Sequence, residues 1–201
     1  MTSKPASVTR RPQPASTLPV VKTPCQIHPT AIIADKARIS GSYTVEIGEN
    51  VVIHPYAELR AEACRIVIGR NTSISERAVV GLSGETETSN EDRAIVLGEG
   101  VNVETGAVVE AHSIDDGTTV DVKARVGRGA AVGKYCKIGP VEEVMAGEEI
   151  EDFTVVHSNG QRRVDTTLKE HAEMRDAKMA GQEKTVELMR RLIPNAASKW
   201  L

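Results

Sequence analysis

Five histidines are the side chains of this sequence that are best suited to catalysis or to metal binding. They are His28, His54, His112, His157 and His171. His28 and His54 each lie in an Ile-His-Pro triplet, and because proline fixes φ we expect both to occupy turns. No Ser–His–Asp order can be defended around these residues, and no segment resembles a phosphate-binding loop. The sequence therefore predicts no catalytic residue, no cofactor and no metal site.

The cysteines likewise indicate no functional site that depends on thiol groups. Cys25, Cys64 and Cys136 are odd in number and widely separated, and no Cys-x-x-Cys pair occurs. This pattern predicts neither a disulfide framework nor a thiolate metal site. It is typical of a protein in a reducing compartment.

The composition excludes two classes of partner. The 201 residues carry a formal net charge of −3 without a clustered basic stretch, so we expect no nucleic-acid binding. No apolar run approaches the length of a membrane span, so we expect no membrane insertion. Aromatic residues make up only 2% of the chain, and the core must therefore consist of Val, Ile, Leu and Ala.

Aliphatic residues recur at every sixth position through most of the chain. The longest run in register is Ile114, Val120, Val126, Val132, Ile138, Val144, Ile150 and Val156. The earlier runs are Ile27, Ile33, Ile39 and Val45, then Ile47, Ile53 and Leu59, then Ile68, Ile74 and Val80, and finally Leu97, Val103 and Val109. A helix requires spacings of three and four, and an ordinary strand requires alternation, so this period fits neither.

A six-residue unit makes one short strand and one turn, and three such units close a triangular coil. The aliphatic residue points inward and stacks on its equivalent in the next coil, about 4.8 Å away. A glycine often follows it directly, and we expect these glycines to accept turn dihedrals. The period therefore predicts an all-β solenoid, a parallel β-helix, over residues 25–160. Known hexapeptide-repeat proteins are left-handed, and this resemblance predicts the hand, which the period alone does not give.

Three segments lack the period. Residues 1–24 contain basic residues and many prolines but no acid, which predicts a disordered tail. Residues 81–96 break the register with acidic, Ser and Thr residues, which predicts an exposed acidic loop. Residues 161–201 are predicted to form a turn and then a C-terminal α-helix, because good helix formers are frequent there.

The C-terminal helix is predicted to begin at a cap formed by Asp165 or Thr166 and to end at Pro194. Gly181 weakens its middle and leaves open a split into two helices. Its second half brings four apolar side chains together: Val186, Met189, Leu192 and Ile193. We expect these four residues to bind a partner, and the equally supported alternative is that the helix covers strand edges of the solenoid.

Zinc ligands distinguish two groups of hexapeptide-repeat proteins. The γ-class carbonic anhydrases bind zinc through three histidines, two of them in a segment that resembles Ile-Gly-His-x-Ala-x-Leu-His-Gly. The matching segment here is 103–111, which has Thr105 and Glu110 at those ligand positions, and the third position falls on Gly81. Zinc catalysis requires three protein ligands and an open position, so this comparison also predicts no zinc site.

The chain resembles the dynactin subunit 6 family more closely. The segments that carry this resemblance are Val52-Ile53-His54-Pro55, Arg60-Ala61-Glu62-Ala63, Ile66-Val67-Ile68-Gly69, Ile74-Ser75-Glu76-Arg77-Ala78, Lys123-Ala124-Arg125-Val126-Gly127-Arg128, Arg162-Arg163-Val164 and Leu188-Met189-Arg190-Arg191-Leu192-Ile193-Pro194-Asn195. A hexapeptide-repeat enzyme has no reason to carry the last two segments. The resemblance covers about residues 27–195, with a longer and more helical spacer at 171–185 than the family has.

The resemblance implies a non-catalytic structural subunit of the dynactin pointed-end complex. It implies pairing with dynactin subunit 5, a second left-handed β-helix, next to the pointed-end actin-related protein and dynactin subunit 4. The implied role is support of dynein–dynactin cargo engagement and microtubule-based transport, in a cytoplasmic, cytoskeleton-associated location. Two alternatives stay open: a γ-carbonic-anhydrase-like protein, either inactive or zinc-dependent, and a hexapeptide acyltransferase with His112 as its candidate catalytic residue.

Overall fold

The computed structural model describes residues 23–82 and 93–201, which form a left-handed parallel β-helix with a C-terminal helical segment. Three short strands make one triangular coil, and about six coils follow one another along the axis. The parallel β-helix predicted from the six-residue period is therefore confirmed, as is the left hand that the resemblance predicted. Within the described ranges, no helix is long and apolar enough to cross a membrane.

Each side of the triangular prism is one sheet. Sheet A contains β1 (Cys25–Ile27), β4 (Val45–Ile47), β7 (Arg65–Ile68), β10 (Ala94–Leu97), β13 (Ser113–Ile114), β16 (Ala131–Val132) and β19 (Glu149–Ile150). Sheet B contains β2 (Ile32–Ile33), β5 (Val52–Ile53), β8 (Ser73–Ile74), β11 (Asn102–Val103), β14 (Thr119–Val120), β17 (Lys137–Ile138), β20 (Thr154–His157) and the antiparallel β21 (Gln161–Val164). Sheet C contains β3 (Arg38–Gly41), β6 (Glu58–Ala61), β9 (Val79–Leu82), β12 (Val108–Val109), β15 (Arg125–Val126) and β18 (Glu143–Val144).

The register between coils follows the repeat in the sequence. In the later coils Ile114 pairs with Val132 and Val132 pairs with Ile150, so equivalent residues are 18 positions apart. In the earlier coils Ile53 pairs with Ile74, which is 21 positions away, because a longer turn is inserted at one corner. The inward aliphatic side chains are buried in both regions. Stacked aliphatic residues therefore fill the prism along its whole length.

The glycines that follow the inward residues have a different role from the one predicted. Gly69 does not adopt a positive φ, and a Cβ at this position would lie 2.5 Å from the carbonyl oxygen of Gly98 in the next coil. The residue is glycine because adjacent coils approach closely there. The left-handed turn conformation occurs two residues later in each repeat, at Asn71 and Gly100 for example.

The boundaries of the acidic loop differ from the prediction of 81–96. Gly81 and Leu82 belong to β9, and the segment from Ala94 to Val96 belongs to β10. Both strands extend because Leu82 and its neighbour across the corner, Ile95, are buried in the core. Residues 83–92 lie outside the described part of the chain, as do residues 1–22 of the predicted N-terminal tail.

The C-terminal segment also departs from the predicted turn and helix over 161–201. It begins with β21, which pairs with β20 and extends sheet B. Two α-helices follow, α1 (Thr166–Glu170) and α2 (Ala172–Leu192), and a 3₁₀ helix spans Ala197–Lys199.

The helix boundaries confirm one expectation and correct another. Asp165 caps α1 by accepting a hydrogen bond from the backbone N–H of Leu168. Gly181 does not split α2, which is continuous across it, and the break between the helices is at His171 instead. Packing of α2 against the prism offsets the weak helix propensity of one glycine. At ~1.5 Å per residue, α2 is about 32 Å long, close to the ~29 Å height of six stacked coils.

We expect Leu59→Ala to lower the free energy of unfolding by about 3 kcal/mol, because Leu59 is fully buried and its truncation leaves a cavity in the prism. Chemical denaturation followed by circular dichroism measures this change. The control is Leu188→Ala, since Leu188 is exposed on α2 and its loss should cost less than ~0.5 kcal/mol. Equal losses for the two variants would contradict the stacked core.

Candidate functional site

The C-terminal segment runs back along the prism and covers sheet B. Val52 points outward from sheet B, yet it is fully buried, and Val186 of α2 is buried as well. Nearer the start of α2, the side chain of Met179 packs against Gly100. A Cβ added at Gly100 would lie only 2.6 Å from the Cε of Met179. Glycine at this corner therefore allows the helix to approach. One of the three prism faces is thus covered by the chain itself.

The chain after α2 lies at the N-terminal end of the prism and bonds the strand edge of sheet B there. The side chain of Asn195 accepts hydrogen bonds from the N–H groups of Ile33 (3.2 Å) and Ala197 (2.9 Å) and donates to the carbonyl of Ala31 (3.2 Å). The backbone N–H of Ala196 donates to the carbonyl of Ile33 at 2.8 Å. These bonds satisfy the free edge of β2, which is otherwise open to another strand.

Two further contacts complete this C-terminal clasp, which we define as residues 195–200. Lys199 forms an ion pair with Asp35, and the partly buried Trp200 packs against the core. The sequence analysis quoted Asn195 as part of a family segment but assigned it no role. A Pro-Asn pair just after a helix was the available signal, because asparagine bonds backbone groups at turns.

The structure separates the four predicted partner-binding residues into two pairs. Val186 and Met189 are buried and half-buried against the prism, so they cover the solenoid. Leu192 is 65% exposed, and with Ile193 it lines an apolar groove of about 380 Å³ whose opposite wall includes Tyr56. Partner binding by Leu192 and Ile193 stays a prediction.

The positions that match the zinc ligands of γ-class carbonic anhydrases do not fit a metal site. Thr105 and Glu110 are on successive turns of one coil, and neither supplies an imidazole. Gly81 has φ +131°, and a Cβ there would collide with the carbonyl oxygen of Arg60. A histidine at residue 81 would therefore require the backbone to move. In residues 23–82 and 93–201, no group of three or more His, Cys, Asp or Glu side chains is placed to hold a metal ion.

The histidines are dispersed over the prism surface. His28 occupies a turn, where its Nδ1 lies 2.9 Å from the hydroxyl of Thr30. His54 also occupies a turn, with its Nε2 3.4 Å from the Ser73 hydroxyl. Burial lowers the pKa of His54, and the carboxylates of Glu76 and Glu104 partly oppose this shift. Both residues therefore have the turn positions predicted from the Ile-His-Pro triplets.

His112 is exposed at the corner between sheets C and A. It shares a small cavity with Glu110 and Arg128, and no serine or cysteine nucleophile of the described residues is hydrogen-bonded to it.

The fold and these surfaces define a hexapeptide-repeat, left-handed β-helix protein. A solved hexapeptide transferase family protein from Anaplasma phagocytophilum superposes with a TM-score of 0.65, covering 87% of this chain and 97% of its own. The two sequences are only 18% identical, so this likeness shows the fold alone. No family model matches the chain.

Two curated relatives show the family. Dynactin subunit 6 of Nematostella vectensis is 34% identical over 137 residues, which cover 66% of this chain and 73% of the relative. Dynactin subunit 6 of Xenopus tropicalis is 32% identical over 146 residues, which cover 70% and 72%. The chain belongs to the dynactin subunit 6 family, as the motif resemblance predicted.

We expect Asn195→Ala to destabilise the protein by about 1–3 kcal/mol, because it removes three hydrogen bonds and leaves backbone groups of the first coil unpaired. Hydrogen exchange at the end of α2 should become faster. Ser198→Ala, an exposed change in the same segment, is the control. Unchanged exchange and stability in Asn195→Ala would show that the clasp does not hold the helix.

We expect the stability of the protein to fall as the pH drops through about 6.5, the ordinary pKa of histidine. Because the pKa of His54 is lowered in the folded state, the unfolded chain binds the proton first and is favoured there. Urea unfolding at pH 7.5 and 5.5 measures the difference, and His54→Gln should reduce it. An identical pH dependence in the variant would exclude His54 as its source.

Proposed function

We propose that this chain is a non-catalytic structural subunit of the dynactin pointed-end complex. In this proposal it pairs with dynactin subunit 5 next to the pointed-end actin-related protein and dynactin subunit 4. It thereby supports dynein–dynactin cargo engagement and microtubule-based transport in the cytoplasm, in association with the cytoskeleton. Membership of the dynactin subunit 6 family is the observation that carries this proposal.

The residues at the zinc-ligand positions favour a structural role for this chain over an enzymatic one. A γ-carbonic-anhydrase-like activity needs three zinc ligands, whereas the matching positions are Thr105, Glu110 and Gly81. The prism has the rigidity that a scaffold needs, because every coil is hydrogen-bonded to its neighbours and filled with buried aliphatic side chains. A rigid surface lowers the entropic cost of ordering the backbone when a partner binds.

The C-terminal end of the prism is suited to pairing with a second β-helix. In the described residues, β18 and β19 are the last strands of sheets C and A, so each has a free edge. The clasp already occupies the opposite end. Val141 and Met145, on either side of β18, are 73% and 64% exposed. Free strand edges next to exposed apolar side chains are typical of a surface that adds another sheet.

The test is purification of dynactin through a tagged actin-related filament subunit from cells that express this chain. We expect the chain and dynactin subunit 5 in equal amounts, and we expect Met145→Arg to reduce both retention and pairing because the charge would be buried at the joint. Leu188→Arg, at an apolar position on α2 that is 53% exposed, is the matched control. Absence of the wild-type chain from dynactin would contradict the proposed function.

A hexapeptide acyltransferase is the second candidate, because His112 is exposed and lies beside a small cavity. We expect the purified chain to transfer no acetyl group from acetyl coenzyme A to amino sugars. Transfer by the wild type that His112→Ala abolishes would establish the alternative and overturn the scaffold.

A further inference from the structure

The three faces of the prism differ in whether a helix covers them and in whether their surface charges are paired. Sheet B lies under α2, as the burial of its outward-facing Val52 shows. Sheet C carries charges that pair within the face: Glu58 bonds Arg60 at 2.5 Å and lies 3.7 Å from Arg38, and Arg125 lies 4.0 Å from Glu143. Sheet A has neither a covering helix nor a charge pair across its described strands.

The centre of sheet A presents small, uncharged side chains to solvent. Side chains alternate along each strand, so the residues between the inward aliphatics point outward. On four successive coils these are Val67, Val96, Ser113 and Ala131. Val96 is 37% exposed, a high value for a valine in the middle of a sheet. This strip, which we call the sheet A strip, is flat and largely apolar.

Basic side chains line one edge of the sheet A strip. Arg65, Arg93, His112 and Arg128 lie on successive coils at the corner between sheets C and A, and all four are exposed. Backbone pairing shows that these residues lie on adjacent coils. Arg65 pairs with Ala94, the residue after Arg93, and the backbone N–H of His112 donates to the carbonyl of Ala130. None of the four forms an ion pair with another residue of the described chain. We call this row the basic corner.

A cavity of about 60 Å³ lies within the basic corner. Its floor is apolar and includes Leu82 and Ile95, and its rim includes Arg93, His112 and Arg128. Both guanidinium groups act on the buried Cys64 thiol at its base, where they oppose the rise in pKa that burial causes. Positive charge from two different coils therefore converges on one opening.

One acidic residue, Glu110, shares the wall of this cavity. The register places it between Arg93 and Arg128 in adjacent coils, yet it forms no ion pair with either within the described residues. Among the residues that the structure describes, a single carboxylate against two guanidinium groups leaves the corner with net positive charge. The basic corner can therefore accept a carboxylate from outside.

We propose that the sheet A strip and the basic corner form a docking surface for a protein partner with small apolar side chains flanked by acidic ones. Charge complementarity selects this partner: the acidic residues meet Arg93 and Arg128, and the apolar ones cover Val67 and Val96. An exposed valine strip gains stability from such burial, and arginine is frequent at interfaces of this kind. The inference rests on the proposed function, since the partner is a neighbour within dynactin.

The test compares two double charge reversals in cells. Arg93→Glu with Arg128→Glu reverses the basic corner, and Arg38→Glu with Arg60→Glu makes the same change of net charge on sheet C, away from the proposed pairing end. Dynactin is purified through a tagged actin-related filament subunit, and the retained chain is quantified by mass spectrometry. We expect about a tenfold loss for the corner variant and less than a twofold loss for the sheet C variant. Thermal unfolding of both purified variants reports that they are folded.

Val96→Glu provides an independent second variant, because it places a negative charge in the sheet A strip without touching the basic corner. It should also reduce retention, by the cost of burying an unpaired charge. Retention of folded corner and Val96 variants at the wild-type level would overturn the docking surface alone. Absence of the wild-type chain from dynactin would overturn the proposed function and this inference together. Binding of the purified wild type to RNA, lost in the corner variant, would assign the surface to nucleic acid and also overturn the inference.

Discussion

Stacking of one aliphatic side chain on its equivalent in the next coil is the interaction on which this structure depends. Ile114, Val132 and Ile150 form one such column, and each is held in register by parallel backbone hydrogen bonds. No coil can bury its inward face alone, so each is stable only between neighbours. The close approach that stacking requires also explains why residue 69 is glycine, since the next coil leaves no space for a Cβ.

Stacking creates a difficulty at the ends of the prism, where the last strands have free edges. The chain resolves it differently at the two ends. At the N-terminal end Asn195 and Trp200 of the clasp cover the first coil, and α2 has the length needed to carry them there. At the other end β21 covers only sheet B. Among the described residues, sheets A and C therefore keep a free strand edge at each end of the prism. What distinguishes the ends is that Trp200 packs against the core at the N-terminal end, whereas Val141 and Met145 are exposed near the C-terminal end.

The sequence determined the solenoid more clearly than it determined the surfaces. A period of six is specific because neither a helix nor an ordinary strand produces it, and it located nearly every strand. The strand pairing of β21 was missed because Gln161–Val164 is exposed and has no apolar pattern. The continuity of α2 was missed because packing on the prism outweighs the propensity of Gly181. Residues from distant repeats, such as Arg93 and Arg128, become neighbours only through the register, so their shared corner was not visible in the sequence.

The central claim of the proposed function is that this prism is a scaffold, and that the positions matching the zinc ligands of γ-class carbonic anhydrases do not fit a catalytic metal. Gly81 bears on this most directly, because its backbone conformation and its contact with Arg60 leave no room for a ligating side chain. Native mass spectrometry of the purified chain, expressed in zinc-supplemented medium, tests the claim in one measurement. The account predicts a metal-free mass and no trimer of this chain. A homotrimer that retains one zinc ion per chain would contradict it.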